Sequence, residues 1–130
     1  LVGYSLGEVK GKHHRMFCED SVAESAEYQL FWSRLRGGGF EGGEFKRIGR
    51  GGKEVWIRAT YNPIMDFDGK PFKVVKYAMD VTHTKARNAE FEGRVQAIGR
   101  AQAVIEFDLN GTVLDANANF LTLMGYTADE

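Results

Sequence analysis

This 130-residue chain has one cysteine, two prolines and nearly equal numbers of basic and acidic residues. The single cysteine, Cys18, excludes an internal disulfide and a metal site built from several cysteines, and it suits a reducing compartment. With 17 basic and 18 acidic residues, the chain lacks the positive footprint of proteins that bind nucleic acid or contact anionic membranes. No apolar run approaches the roughly 20 residues that cross a bilayer. We therefore expect a cytoplasmic protein.

The chain carries a short internal repeat. Residues 1–5 (Leu-Val-Gly-Tyr-Ser) read almost as residues 123–127 (Leu-Met-Gly-Tyr-Thr), and Glu8 matches Glu130 at the same offset of 122 positions. A match of only a few residues also arises by chance. If the repeat is real, the chain starts inside one copy of a domain and stops at the same point in the next. The first residue, Leu1 rather than Met, likewise indicates a piece of a longer protein.

Two β-prone runs predict the centre of the fold, residues 55–62 and 72–79, joined by a turn at Asp66-Phe67-Asp68-Gly69-Lys70-Pro71. These arms should pair antiparallel. Strand alternation divides each arm into two faces: Ile57, Ala59 and Tyr61 lie opposite Trp56, Arg58 and Thr60, and Val75, Tyr77 and Met79 lie opposite Val74, Lys76 and Ala78. Both faces carry apolar residues, so we expect a core on one and a covering helix or partner chain on the other.

Before the hairpin, residues 19–36 read as one helix. Ser25 can cap it, and Tyr28, Phe31, Trp32 and Leu35 repeat at helical spacing. Three glycines at 37–39 end this helix; we interpret them as a turn rather than a phosphate site, because they follow a helix C-terminus. A strand is expected at residues 44–48.

After Thr82 the pattern is helical again. Phe91, Val95 and Ile98 predict either a short coiled-coil seam or an ordinary amphipathic connector. Residues 104–108 and 112–116 read as two strands joined by an Asn-Gly turn, followed by a short helix over 118–124 with Asn117 as its cap.

These pieces together resemble tandem PAS domains of bacterial methyl-accepting chemotaxis and aerotaxis receptors. Residues 105–120 resemble the first two strands and following helix of a PAS domain, and residues 3–17 resemble the continuation in the preceding copy. Residues 31–43, the central hairpin and Asp80-Val81-Thr82 are similar to the later helix, the last three strands and the closing Asp-x-Thr of the family.

The resemblance implies an α+β PAS fold, a five-stranded antiparallel sheet with short helices over one face, plus a connecting signalling helix. The chain would divide into residues 1–82, 83–102 and 103–130. In function it implies a cytoplasmic sensory module of a chemotaxis receptor, which relays a redox, oxygen or small-ligand signal through Asp80 and Thr82 into the helix.

Two alternatives remain open: a structural dimerisation or spacer module without ligand, and the regulatory part of a sensor histidine kinase or cyclic-dinucleotide enzyme. No enzyme activity is expected from the chain itself, because Asp66 and Asp68 flank a turn and no serine or cysteine nucleophile has a recognisable base.

His14 is the first candidate for a pocket residue, because it matches a histidine near the flavin in aerotaxis-type PAS domains, and an imidazole also ligates haem iron. The alternative is that His13 and His14 bond a backbone carbonyl and organise a loop. Cys18 is expected to be an inert buried thiol. Residues that line a pocket, or simply form the core, would be Trp32, Phe45, Ile57, Ala59, Tyr61, Val74 and Ala78.

Two departures from the aerotaxis pattern weigh against flavin: the expected aromatic is at best Phe40, and Arg47 replaces an amide side chain. We expect no cofactor in this piece of the protein, with FAD or haem as alternatives, and no metal unless His14 holds haem. Lys76 lies on the inward face, where an ammonium needs an acid or an anionic ligand unless the face assignment is wrong.

The expected partners are a second copy of this chain and the neighbouring PAS and signalling domains. The edge of strand 72–79 and the hairpin 104–116 both lack neighbours. A helix over residues 84–101 would be about 27 Å long and carry the hairpin away from its own sheet. We therefore expect a homodimer swapped through residues 103–130; a break at Gly93 or Gly99 would instead give a monomer.

Overall fold

The computed structural model describes residues 1–127, which form two compact units that meet in sequence after Lys85. The first unit contains helix α1 (Leu6–Val9), a 3-10 turn (His14–Phe17), helices α2 (Asp20–Ala23) and α3 (Ala26–Arg36), and strands β1 (Glu41–Ile48), β2 (Glu54–Met65) and β3 (Pro71–Asp80). Helix α4 spans Thr82–Ala101. The second unit continues with strands β4 (Ile105–Phe107) and β5 (Val113–Ala116) and helix α5 (Ala118–Met124).

The predicted central hairpin is confirmed. Strands β2 and β3 pair antiparallel, with Ala59 opposite Ala78 and Tyr61 opposite Lys76. The turn closes on the carboxylate of Asp66, which accepts hydrogen bonds from the backbone N–H groups of Asp68 (2.9 Å) and Lys70 (2.8 Å). Strand β1 pairs antiparallel with the other edge of β2, so β2 is the central strand of a three-stranded sheet.

Helix α3 packs on the predicted core face of this sheet. Val55, Ile57 and Tyr61 are each 1% exposed and lie with Phe31 and Leu35 in one apolar cluster. Burial of these side chains supplies the main driving force for the first unit, at about 1.5–3 kcal/mol for each large side chain.

The single helix expected over residues 19–36 is wrong, because the chain is extended at Ser25. Its hydroxyl donates to the carbonyl of Val22 (2.7 Å) and accepts from the backbone N–H of Tyr28 (3.1 Å). A serine that bonds the backbone on both sides ends one helix and caps the next. The predicted capping role of Ser25 is therefore confirmed, and the length of the helix is corrected.

Within the first unit, Lys85 covers part of the other face of the sheet. Lys85, in the first turn of α4, places its ammonium 4.6 Å from the ring centroid of Trp56 on β2. On β3, Tyr77 and Met79 are 68% and 66% exposed. A partner chain over this part of the face stays a prediction.

In the second unit the predicted helix over 118–124 and its cap are confirmed, since Asn117 accepts from the N–H of Phe120 (2.9 Å). The predicted Asn-Gly turn is confirmed, with Gly111 at a left-handed φ of 86°. The carboxylate of Asp108 accepts from the N–H groups of Asn110 (2.9 Å) and Thr112 (2.8 Å), which closes the turn. Asp66 makes the same pair of bonds in the central hairpin.

The repeat has a structural counterpart. Gly3 and Gly125, which are 122 positions apart, have left-handed φ angles of 76° and 79°. Left-handed backbone is costly for residues with a Cβ, so glycine at both positions fits a common local structure. The predicted match of Glu8 with Glu130 lies outside the described residues.

Helix α4 begins and ends close to the expected bounds. Its apolar side chains Phe91, Val95 and Ile98 are 68%, 52% and 55% exposed. The coiled-coil seam and the division of the chain at residues 82 and 102 stay predictions. None of the helices within residues 1–127 is both long and apolar enough to cross a membrane.

The five strands expected in one sheet are three in the first unit and two in the second. Within the described residues, β3 pairs only with β2, and β4 pairs only with β5. Unpaired strand edges of this kind readily form hydrogen bonds with a strand of another chain. We keep the homodimer swapped through residues 103–130 as a proposal.

Light scattering tests this proposal on the 130-residue chain. A swapped homodimer has a mass of about 29 kDa, twice the 14.6 kDa of the chain, and should become monomeric when residues 103–130 are deleted. A monomer at all concentrations would contradict the swap.

Candidate functional site

A hydrogen-bonded cluster lies in the core between the sheet and the 3-10 turn. His14 opens this turn, and both of its ring nitrogens bond tyrosine hydroxyls: Nδ1 lies 3.0 Å from Tyr28 of α3, and Nε2 lies 3.1 Å from Tyr61 of β2. The neighbouring His13 accepts from the backbone N–H of Arg15 (3.2 Å) and caps the turn. The two histidines therefore have different roles, and neither bonds a backbone carbonyl here.

Arg47 of β1 extends the cluster. Its side chain donates from Nη2 to the Tyr61 hydroxyl (3.2 Å) and from Nη1 to the carbonyl of Lys46 (2.8 Å), and its guanidinium lies 4.7 Å from the ring centroid of Phe45. Arg47 is only 5% exposed. Its enclosed Nε–H has no hydrogen-bond partner in the described part of the chain.

One tautomer of His14, with the proton on Nδ1, satisfies the hydrogen bonds in this cluster. Arg47 can only donate, so the Tyr61 oxygen accepts from it, and the Tyr61 proton is free to go to Nε2 of His14. The neutral imidazole then donates from Nδ1 to Tyr28. Burial raises the pKa of both tyrosines, so both keep their hydroxyl protons. With this tautomer the hydrogen bonds run from Arg47 through Tyr61 and His14 to Tyr28.

The imidazole of His14 is held in its neutral form. Burial disfavours the charged ring, and the cations Arg47 and Lys76 add to the effect, so the pKa of His14 falls from 6.5 to about 3. Cys18 lies 3.9 Å from Nδ1 of the same ring and is buried, and burial raises its thiol pKa.

Lys76 occupies the inward face, as the alternation predicts, with its ammonium 5.0 Å from the ring centroid of Tyr61. Burial and, to a smaller extent, the charge of Arg47 together lower the pKa of Lys76 to about 8. Within residues 1–127 no carboxylate forms a salt bridge with Lys76.

The structure thus brings together His14, Trp32, Tyr61 and Lys76, four of the pocket residues expected from the sequence; Trp32 makes an edge contact with His14 at 5.5 Å between ring centroids. Among the rest, Ile57 and Ala59 are buried in the core, Phe45 and Val74 pack against it, and Ala78 and Phe40 are exposed.

The importance of Arg47 and Tyr28 for the site was not predicted from the sequence. Strand alternation places Arg47 in phase with Phe45, which is a signal that points it inward.

The haem alternative does not fit these residues. Both nitrogens of His14 are bonded to tyrosines, so neither is free to ligate iron. Tyr61 makes edge contacts with Phe31 and Phe45 at centroid distances of 4.8 and 5.6 Å. The described residues contain no cluster of three or more metal-ligating side chains.

At the end of β3, Asp80 and Thr82 form the expected junction with α4. The carboxylate of Asp80 accepts from the N–H of Thr82 (2.9 Å). Hydrogen bonding to Thr82, first to its side chain and then to its backbone N–H, lowers the pKa of Asp80. The Thr82 hydroxyl accepts from the N–H of Trp56 (2.9 Å), and the N–H of Val81 donates to the Trp56 carbonyl (2.8 Å). The first turn of α4 is therefore tied directly to β2.

The antiparallel sheet, the short helices over one face and the helix that leaves the last strand are features of PAS-type sensory domains. The comparisons agree. Residues 1–78 match the model described as PAS fold, and residues 102–130 match the model described as PAS domain. The chain belongs to the PAS family, and the resemblance to tandem PAS domains is confirmed.

Two curated relatives are similar to this chain. The biofilm dispersion protein BdlA of Pseudomonas aeruginosa is 47% identical over 97% of the chain, and the bacterioopsin transcriptional activator of Halobacterium salinarum is 30% identical over 77% of it. The chain spans only 30% and 15% of their lengths.

A sensory box histidine kinase/response regulator from Burkholderia thailandensis has a similar solved structure. Its TM-score is 0.55 at 20% identity, with 76% of this chain and 74% of that chain covered. At this identity the likeness shows the fold alone.

The low pKa of His14 predicts how stability depends on pH. Between pH 6.5 and about 3 the unfolded chain binds a proton at His14 that the folded chain excludes. This contribution therefore favours unfolding increasingly as the pH falls below 6.5, and it vanishes above that value. Urea unfolding followed by tryptophan fluorescence at pH 7 and pH 4.5 should show a smaller loss of stability in His14→Gln than in the wild type. Equal losses would contradict the assignment.

Proposed function

We propose that this chain is a sensory module of a cytoplasmic chemotaxis-type signalling protein, which relays the state of the buried site to α4. The observation that carries the proposal is that β2 contributes residues both to the buried site and to the junction with α4. Tyr61 links Arg47 to His14, and Trp56, on the same strand, binds Thr82 at the start of α4. A change in the site and a change at the junction therefore act on one strand.

The polar site favours a sensory role over a purely structural one. A domain that only spaces its neighbours is served well by an apolar core, because burying an arginine and a histidine costs free energy that hydrogen bonds only partly offset. Buried ionisable groups with strongly shifted pKa values concentrate at functional sites. The pKa values of His14 and Lys76 are lowered to about 3 and about 8.

The receptor class is supported by the resemblance to chemotaxis and aerotaxis receptors and by the similarity to a relative named for biofilm dispersion. The lone Cys18 suits the reducing cytoplasm. We assign no catalytic step to the chain: Asp66 accepts bonds within its own turn, and Asp68 lies beside it on the exposed tip. The output would come from other parts of the protein.

The junction tests the relay. Asp80→Ala removes the acceptor for the Thr82 N–H, so amide hydrogen exchange should speed up over residues 81–85 while the sheet stays protected. In the intact signalling protein the same change should abolish the swimming response.

The matched control is Asp68→Ala, which removes an exposed aspartate whose backbone N–H, rather than its carboxylate, makes the turn bond. It should leave both exchange at residues 81–85 and the response unchanged. A normal response in Asp80→Ala would contradict the relay.

A further inference from the structure

The site holds two cations and no counter-ion. Arg47 bonds only neutral acceptors, the Tyr61 hydroxyl and the Lys46 carbonyl, and Lys76 faces an aromatic ring. Among residues 1–127, no salt bridge reaches either side chain. His14, which also contacts Tyr61, is neutral, so the described residues of the cluster carry two uncompensated positive charges.

This arrangement costs stability. A buried guanidinium is tolerated when its charge is paired, and Arg47 is 5% exposed with its Nε–H unbonded. The two cations also repel each other, which contributes to the low pKa of Lys76. An anion beside Arg47 would relieve both penalties at once.

A cavity reaches Arg47 from outside. It has a volume of about 390 Å³, at the lower end of the range of small-molecule sites, and lies between α3 and β1. The rings of Tyr28, Phe31 and Phe45 form its apolar wall, and Arg47 lines it.

Other charged groups around the cavity do not neutralise Arg47. Glu41 forms a salt bridge with Arg34, so this pair contributes no net charge. Glu27 is exposed, in the first turn of α3. Exposed charges act weakly over distance in water.

We propose that this cavity binds a small organic anion, a carboxylate on a flat apolar body, with Arg47 as its counter-ion. The aromatic wall suits the flat body, and the guanidinium matches the planar carboxylate. The proposal rests on the proposed sensory function and names the ligand class of the same site. Bound there, the anion contacts Arg47 and Tyr28, which are the two ends of the hydrogen-bonded chain through Tyr61 and His14.

Benzoate and its neutral isostere benzamide test the charge requirement on the wild-type chain. Calorimetric titration in low salt should show benzoate binding at least about tenfold more tightly than benzamide. Equal affinities, or no benzoate binding at roughly 10 mM, would overturn the proposal. Inorganic phosphate binding as tightly as benzoate would overturn the role of the aromatic wall.

Arg47→Gln should lose at least about tenfold in benzoate affinity. The control Arg58→Gln removes the same charge from an exposed arginine that pairs with Glu44, and it should bind benzoate as the wild type does. Equal losses in both variants would overturn the assignment of Arg47.

If Arg47→Gln fails to fold, the comparison of benzoate with benzamide on the wild-type chain still tests whether the cavity requires an anion. The junction experiment on Asp80 needs no added ligand, so a failure of benzoate to bind leaves the relay standing.

Discussion

Burial of the Arg47 guanidinium against the Tyr61 hydroxyl is the interaction on which the buried polar site depends. A charge removed from water must find acceptors inside the protein. Tyr61, the Lys46 carbonyl and the ring of Phe45 supply them. The oxygen of Tyr61 accepts from Arg47 and also lies 3.1 Å from Nε2 of His14. Burial, assisted by the charge of Arg47, keeps this imidazole neutral in the turn above the sheet.

Because Tyr61 lies on the central strand, this site is connected to the start of α4. Trp56 of the same strand bonds Thr82 through its backbone N–H and carries the ammonium of Lys85 over its ring. Lys85 also forms a salt bridge with Glu44 of β1 (2.8 Å). The first turn of α4 is therefore bonded to two strands of the sheet, and these are the contacts through which the proposed relay would act.

Local patterns predicted much of the fold, since β-propensity, turn chemistry and caps act over a few residues. The hairpin and the Asn117 cap are examples, whereas the break at Ser25 shows a capping side chain overriding helical periodicity. The site was harder, because His14 meets partners 14 and 47 positions away. Alternation indicated that Tyr61 faces inward, but no local pattern shows which side chains will share its hydroxyl.

The most direct test is the coupling free energy between Tyr61 and His14. Both tryptophans of the chain, Trp32 and Trp56, lie in the first unit, so fluorescence-detected urea unfolding reports on it alone. Removing one partner leaves the other buried and unsatisfied, so Tyr61→Phe and His14→Gln should be non-additive in the double variant by about 1 kcal/mol or more. Tyr77→Phe, at an exposed tyrosine, should be additive with His14→Gln. Additivity of the Tyr61 and His14 changes within a few tenths of a kcal/mol would contradict the account.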